Sequence, residues 1–387
     1  MNHYCTYFDQ GFLIQGLALA QSLDEHDRSS ILWVLCLDET TKSVLDQLGS
    51  PQVRTISLRE LEEWDPNLLA VKDQRTTVEY FFTLSPFLPL FVLEKNPLLE
   101  RITYLDADMF FFSDPAPIFA EMDAASVLVT EHHYPDYLAH HSRFGRFNVG
   151  ILSFRNNDTG RGCLTWWKNC CLSWCYDRVE QNLYADQKYL DQWPLRYGGQ
   201  LCVLSRPGVN LAPWNWSQFN YSYRDGKIWV ENQPLELFHF ARFRPLSSDR
   251  WLQSGQLEYG VMPWKLRQGI YGRYWKALKA AREDIRRVMP SFDFPQRSSR
   301  GWHGFWRALL PRLFFGSDWL QWNGYLISGR FGLGRFSGKV LSWARGELFH
   351  RLRKRVSDLP AKATLDSSVG HEGSLLSGGG RETGARR

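Results

Sequence analysis

The chain has 387 residues, 44% of them hydrophobic and 15% aromatic, with 46 Lys and Arg against 41 Asp and Glu, for a net charge of +5. That length holds one large catalytic domain plus an appendage, and the composition excludes a disordered chain. Seventeen tryptophans suit stacking on bases or sugars and seating at a membrane surface, while seven cysteines without paired CxxC spacing fit a reduced compartment and exclude a disulfide scaffold.

The polar start MNHYCTYFDQ predicts no secretory leader, and no stretch reaches the roughly 18 uncharged apolar residues that span a bilayer. A cytoplasmic protein is expected, in which the sequons at Asn157, Asn215 and Asn220 carry no meaning. Short apolar runs then alternate with helical patterns, the mark of a sheet built from βαβ units. Strands are expected at Tyr4 to Phe8, Ile31 to Leu37 and Val53 to Leu58, with helices at Leu13 to Leu23 and Thr41 to Leu48. Thr77 to Leu93 reads as a buried helix interrupted at Pro86 and Pro89. Further strands fall at Ile102 to Leu105, Ser126 to Thr130, Asn148 to Phe154 and Leu201 to Leu204, with helices at Thr165 to Tyr176 and around Asp186. A basic helical pattern, Trp264 to Val288, runs out of the domain. The expected organisation is a catalytic domain over 1–260, a basic helical extension over 261–295, a basic aromatic segment over 296–360 and a disordered Gly/Ser-rich tail over 361–387.

The chemistry concentrates in YLDADMFFFSDP. Asp106 and Asp108 follow an apolar strand, and alternate residues of an extended chain project to one side, so both carboxylates face one ion at the strand's carboxyl end. Two hard oxygen ligands with open positions suit Mg²⁺ or Mn²⁺ on phosphate oxygens. Two aspartates at this spacing also cap turns, but three phenylalanines follow them here, and unpaired carboxylates beside such apolar surface are costly.

Five blocks in order, TYFDQGFLIQGLALAQSL, YLDADMFFFSDP, FNVGILSF, ADQKYL and LFHFARFR, resemble the GT-A-fold nucleotide-sugar glycosyltransferases, and among them the retaining family 8 type, over residues 1 to 245. The resemblance implies an α/β fold with a mixed, mainly parallel sheet flanked by helices. It implies that Asp106 and Asp108 bind the metal with His239 as third ligand, which tilts the ion towards Mn²⁺. Thr6 and Asp9 match the uridine-binding loop, Asp9 reading equally as a helix N-cap, and Ala107 lies with them on the donor. Asn148, Val149 and Gly150 match an Asn-x-Gly segment at the sugar. Asp186 and Gln187 match the pair beside the donor sugar: Asp186 would hold hydroxyls, and Gln187, a poor nucleophile, would leave a front-face displacement. The family's His-x-x-Gly-x-x-Lys motif here lacks both Gly and Lys, so Arg242 or Arg244 takes the diphosphate. Arg75 either replaces an arginine missing near Thr83 or pairs with Glu79 at the surface.

Between Gln296 and Asp358 twelve Lys or Arg stand against three acidic residues, interleaved with Trp302, Trp306, Trp319, Trp322 and Trp343. This is the composition of a segment lying on an anionic membrane, with a solvated helical hairpin and a nucleic-acid patch as the alternatives. The combined expectation is a peripheral enzyme on the inner face of the membrane, moving a hexose from a UDP-sugar to a glycan or lipid-linked acceptor, without nucleic acid. The competing readings are a sugar-nucleotide nucleotidyltransferase, against which stands the missing Gly-rich phosphate loop, and a non-catalytic sugar- or membrane-binding protein.

Overall fold

The computed structural model describes residues 1–247 and 250–294. The chain begins with β1 (His3–Phe8), α1 (Leu13–His26), β2 (Ile31–Cys36), α2 (Glu39–Leu48) and β3 (Val53–Ser57), then the short helices α3 (Leu58–Trp64) and α4 (Asn67–Lys72). There follow α5 (Thr77–Leu84), α6 (Phe87–Lys95), β4 (Arg101–Leu105), β5 (Met109–Phe111), α7 (Ala116–Met122), β6 (Val127–Glu131), β7 (Phe147–Arg155), α8 (Asp158–Ser173), α9 (Trp193–Tyr197) and β8 (Leu201–Val203). Seven strands make one sheet in the order β3, β2, β1, β4, β7, β6, β8. The β1–β2, β2–β3, β1–β4 and β6–β8 pairs are parallel, and β7 runs antiparallel to both β4 and β6. This is the mixed, mainly parallel sheet flanked by helices that the GT-A resemblance implies.

Period-two alternation explains why both faces of the sheet are covered. Tyr4, Leu32, Val34 and Leu128 point into one apolar layer with α1, whereas Cys5, Leu35, Val127 and Val129 point into the opposite layer with α6 and α8. The prolines act as expected: α5 stops at Leu84 and Pro86 caps α6, while Pro89 sits in the first turn of α6, where its missing N–H costs nothing. Asn157 caps α8, its side chain accepting from Gly160 N at 2.9 Å, so this helix starts well before Thr165.

The second half holds strands that the apolar pattern does not announce. β9 (Tyr221–Arg224), β10 (Lys227–Val230) and β11 (Gln233–Pro234) form a meander, followed by β12 (Leu237–His239), β13 (Arg244–Ser247) and β14 (Arg250–Leu252). The β9–β10 turn is Asp225–Gly226, both at positive φ (49° and 74°), which glycine and aspartate tolerate and which matches the twist of a two-residue hairpin.

Helices α10 (Gln256–Tyr259), α11 (Trp264–Arg267) and α12 (Arg273–Val288) close the described chain, with a π-helical turn, Gln268–Gly272, before α12. Far from leaving the domain, α12 lies against α1. Tyr274, Trp275, Leu278, Ala281 and Ile285 recur at helical spacing on its buried side, and Gln21 Nε2 donates to Asp284 at 2.8 Å. Lys276, Lys279 and Arg287 are exposed, while Arg273 turns to α1 and donates to Glu25 at 2.8 Å. The basic aromatic segment 296–360 and the tail 361–387 lie outside the described residues.

One ion pair inside this second half is buried on the acidic side. Glu236, fully buried ahead of β12, accepts two bonds from Arg206, at 2.8 and 2.7 Å. Burial pushes its carboxyl up, and the guanidinium pulls it back. Removing one partner strands the other, so Arg206→Met should lower unfolding free energy by about 3 kcal/mol, and the Arg206→Met, Glu236→Met double variant by less, as measured by urea denaturation.

Candidate active site

The two acidic residues do not sit on an extended strand, as the sequence pattern implies. β4 ends at Leu105, and Asp106 to Met109 form a turn closed by Met109 N donating to Asp106 O at 3.1 Å. The turn redirects the chain into β5, which pairs antiparallel with β12, so that His239 stands opposite Met109 and beside Asp108. Phe240 N donates to Asp108 O at 2.8 Å and secures that junction.

The result is a triad. His239 Nε2 lies 3.2 Å from Asp108 Oδ1 and 3.6 Å from Asp106 Oδ2, and the three possible ligand atoms lie within 4.8 Å of one another. Adjacent ligands of an octahedral Mg²⁺ or Mn²⁺ at ordinary bond lengths are about 3 Å apart, so the set fits a hard divalent cation held on one side. Burial raises the Asp106 carboxyl, with His239 opposing and Asp108 adding to the shift, while Tyr104 donates to Asp106 Oδ1 at 2.8 Å. Burial lowers His239, but the Asp108 and Asp106 carboxylates outweigh it and the imidazole is raised overall.

Asn148 and Gly150 reach the triad from β7, whose start lies next to the end of β4; Asp106 N donates to Gly150 O at 3.0 Å. A side chain at position 150 has no room. A Cβ there would sit 2.5 Å from Asn148 Oδ1 and 2.8 Å from His239 Nδ1.

A cleft of about 260 Å³ opens over Asp106. Asp186 and Gln187 line it just ahead of a 3₁₀ turn, Lys188–Gln192. Gln187 is held by its amide, Nε2 donating to Phe144 O at 3.0 Å and Oε1 accepting from Asn148 Nδ2 at 3.3 Å. Burial pushes the Asp186 carboxyl up to about 7, with Ser85 opposing and Asp106 adding. Arg242, at φ 60°, lines the mouth with its side chain 67% exposed and 3.6 Å from Glu258.

Other residues of the sequence reading lie elsewhere. Arg75 binds the carbonyls of Cys171 and Leu172, at 2.7 and 2.8 Å, and the Thr83 hydroxyl, so it caps the end of α8 and neither lines the cleft nor pairs with Glu79. Glu79 completes a capping box with Thr76. Thr6 is fully buried in β1, and its hydroxyl meets no hydrogen-bond partner among the described residues. Asp9 accepts from Gly11 N at 2.9 Å in a loop turn, and the residue at the α1 N-cap is Phe12. Ala107 is buried in the turn between the two aspartates. Arg244 opens β13.

Tyr7, Ser85, Tyr134, His141 and Trp214 also line the cleft without any motif in the sequence to mark them. Trp214 packs edge-on against the His239 ring with centroids 5.3 Å apart, and Tyr134 stacks on His132 at 4.6 Å. Burial lowers His132 to about 3, so this imidazole is neutral.

No family model matches the chain. YfnF of Bacillus subtilis strain 168, an uncharacterized protein, is 37% identical over 300 residues, covering 75% of this chain and 96% of its own length. The chain belongs to the YfnF family. YfnD of the same organism, also uncharacterized, is 33% identical over 244 residues, covering 62% of this chain and 78% of its own. Among solved structures, this YfnF-family chain is similar to the galactosyltransferase LgtC in complex with donor and acceptor sugar analogues (15% identity, TM-score 0.44, 69% of this chain and 100% of that one). It is also similar to mouse xyloside xylosyltransferase 1 (12%, TM-score 0.43, 62% and 98%) and to the glycosyltransferase GlyE of Streptococcus pneumoniae TIGR4 (15%, TM-score 0.42, 72% and 64%).

An acid whose carboxyl is raised on folding favours the fold when protonated. Stability from Asp186 is therefore present below its unfolded value of about 4 and lost as pH climbs through about 7. In metal-free protein, Asp186→Asn should remove part of the fall in unfolding free energy between those limits, as followed by denaturant titration at a series of pH values.

Proposed function

We propose that this chain is a metal-dependent glycosyltransferase that moves a hexose from a UDP-sugar to a glycan or lipid-linked acceptor, with retention of anomeric configuration. The observation that carries the reading is the convergence of Asp106, Asp108 and His239 beside a cleft lined by Asp186 and Gln187. These three residues would hold Mn²⁺ or Mg²⁺, which when bound supplies positive charge to the diphosphate leaving group.

The protein's own groups divide the remaining work. Asp186, buried and poised near neutrality, is suited to hydrogen bonds with donor-sugar hydroxyls in either protonation state. Gln187 has its amide fixed by two bonds and offers no competent nucleophile, which supports attack by the acceptor on the face the diphosphate leaves. Arg242, which lines the cleft with its side chain 67% exposed, would exchange Glu258 for phosphate oxygens. Asp9, in the loop after β1, would meet the uridine, and Asn148 and Gly150 the sugar, whereas Thr6 is fully buried within the strand. Tyr134, Tyr184 and Tyr259 at the cleft offer faces for an acceptor sugar.

No described helix is long and apolar enough to cross a membrane. The enzyme would instead reach a lipid-linked acceptor through the basic aromatic segment 296–360, docked on an anionic surface at the cytoplasmic side.

Purified protein incubated with UDP-sugars should release UDP only with Mn²⁺ or Mg²⁺ present, and Asp108→Ala should cut the release by about 100-fold or more. Release that survives chelation would overturn the metal reading, and pyrophosphate from a nucleoside triphosphate would point to nucleotidyl transfer instead. Vesicle co-sedimentation unchanged by truncation after Val288 would remove the membrane assignment.

A further inference from the structure

The triad is backed by a polar array that no motif marks. His132 continues from the end of β6, and its Nδ1 lies 3.3 Å from the Arg146 carbonyl, while its Nε2 lies 3.3 Å from Asn148 Nδ2. Asn148 Oδ1 accepts from the Gly150 backbone N–H at 3.0 Å and lies 3.2 Å from His239 Nδ1.

The directions of these bonds follow from their fixed ends. A backbone N–H can only donate, so Gly150 settles which end of the Asn148 amide faces inward: the oxygen. With that oxygen turned towards it, His239 Nδ1 must carry a proton and donate, which makes Nε2, on the side of Asp106 and Asp108, the nitrogen that gives up its proton to offer a lone pair to an ion. At the other end the Arg146 carbonyl can only accept. His132 therefore carries its proton on Nδ1 and presents Nε2 to Asn148 as an acceptor. Every donor in the run meets an acceptor, and the second hydrogen of Asn148 Nδ2 faces Gln187 Oε1.

We infer that Asn148 and His132 are positioning residues which hold His239 in the tautomer that offers Nε2 to the ion, and that Asn148 ties this imidazole to Gln187 beside the donor sugar. The inference rests on the metal-dependent reading above and extends it: one carboxamide sets both the third ligand and the amide at the reacting sugar. His132 contributes by fixing Asn148 and is itself fixed by stacking on Tyr134.

The test uses the full chain with Mn²⁺ alone and no nucleotide. Affinity is read from the signal of free Mn²⁺, and imidazole coordination from the nitrogen coupling seen by pulsed electron paramagnetic resonance. Asn148→Leu should weaken Mn²⁺ binding about 10- to 100-fold and abolish the nitrogen coupling, and His132→Phe, which keeps the stacked ring, should weaken binding about tenfold. Asn148→Asp, which retains an oxygen to accept from Nδ1–H, should restore the nitrogen coupling that Asn148→Leu loses. Melting followed by circular dichroism confirms that each variant is folded. Wild-type protein that binds Mn²⁺ with affinity and nitrogen coupling unchanged in folded Asn148→Leu overturns this inference and leaves the metal reading standing. Wild-type protein that binds no Mn²⁺ overturns both.

Discussion

Everything distinctive about the site depends on three rungs of antiparallel ladder between β5 and β12. The two aspartates lie at the end of a central strand, and the histidine arrives from far along the sequence. Only the pairing of Phe111 with Leu237, Phe110 with Phe238 and Met109 with His239 brings them together. The residues that form those rungs are almost completely buried on both faces, which makes the register hard to slip, since a shift of one residue would exchange every side chain between two packed faces and carry His239 away from the aspartates. The phenylalanine run after the aspartates thus serves the chemistry indirectly, as the anchor of the element that supplies the imidazole.

The same logic extends outward in layers. Phe240, next to His239, stacks on Tyr274 of α12 with centroids 3.7 Å apart, so the last described helix is in direct contact with the element that delivers the third ligand. On the other side, β6 and β7 deliver His132 and Asn148, and the cleft wall is completed by Trp214, whose Nε1 donates to the His132 carbonyl at 2.8 Å. Polar groups at the centre are therefore held by bonds to one another and to backbone, inside a surround of aromatic residues. This division explains an aromatic content that the sequence first raises as a question about membranes and bases: much of it is scaffold around one polar cluster.

The alternating strands and helices of the first half are legible because apolar period and helical period differ so clearly there, and because Pro86 marks a true boundary, whereas the Asn157 cap of α8 goes unread. The carboxylate pair was legible as a ligand set, but its geometry was not. Extended alternation and a four-residue turn both bring two carboxylates to one side, and only the need to enter β5 selects the turn. The strands from Tyr221 onward were missed although Asp225–Gly226, between alternating aromatic and polar residues, is a hairpin signal in its own right. Arg75 illustrates a different limit. The sequence offers it the place of a missing arginine or Glu79 as partner, whereas the fold offers the bare carbonyls at the end of α8, and a long side chain goes to the acceptors that have no other donor. His132 could not be found at all from sequence, since a lone histidine acquires its meaning from what β7 places opposite it.

The seating of α12 on α1 also fixes where a working fragment must end. The apolar side of α1 is covered by Tyr274, Leu278 and Ala281 as much as by the sheet. A gene shortened at the last strand would translate into a protein with an oily stripe open to solvent, prone to self-association. The packed unit therefore extends through α12 and on to Phe294, which stacks on Trp275, well past the last residue that faces the cleft.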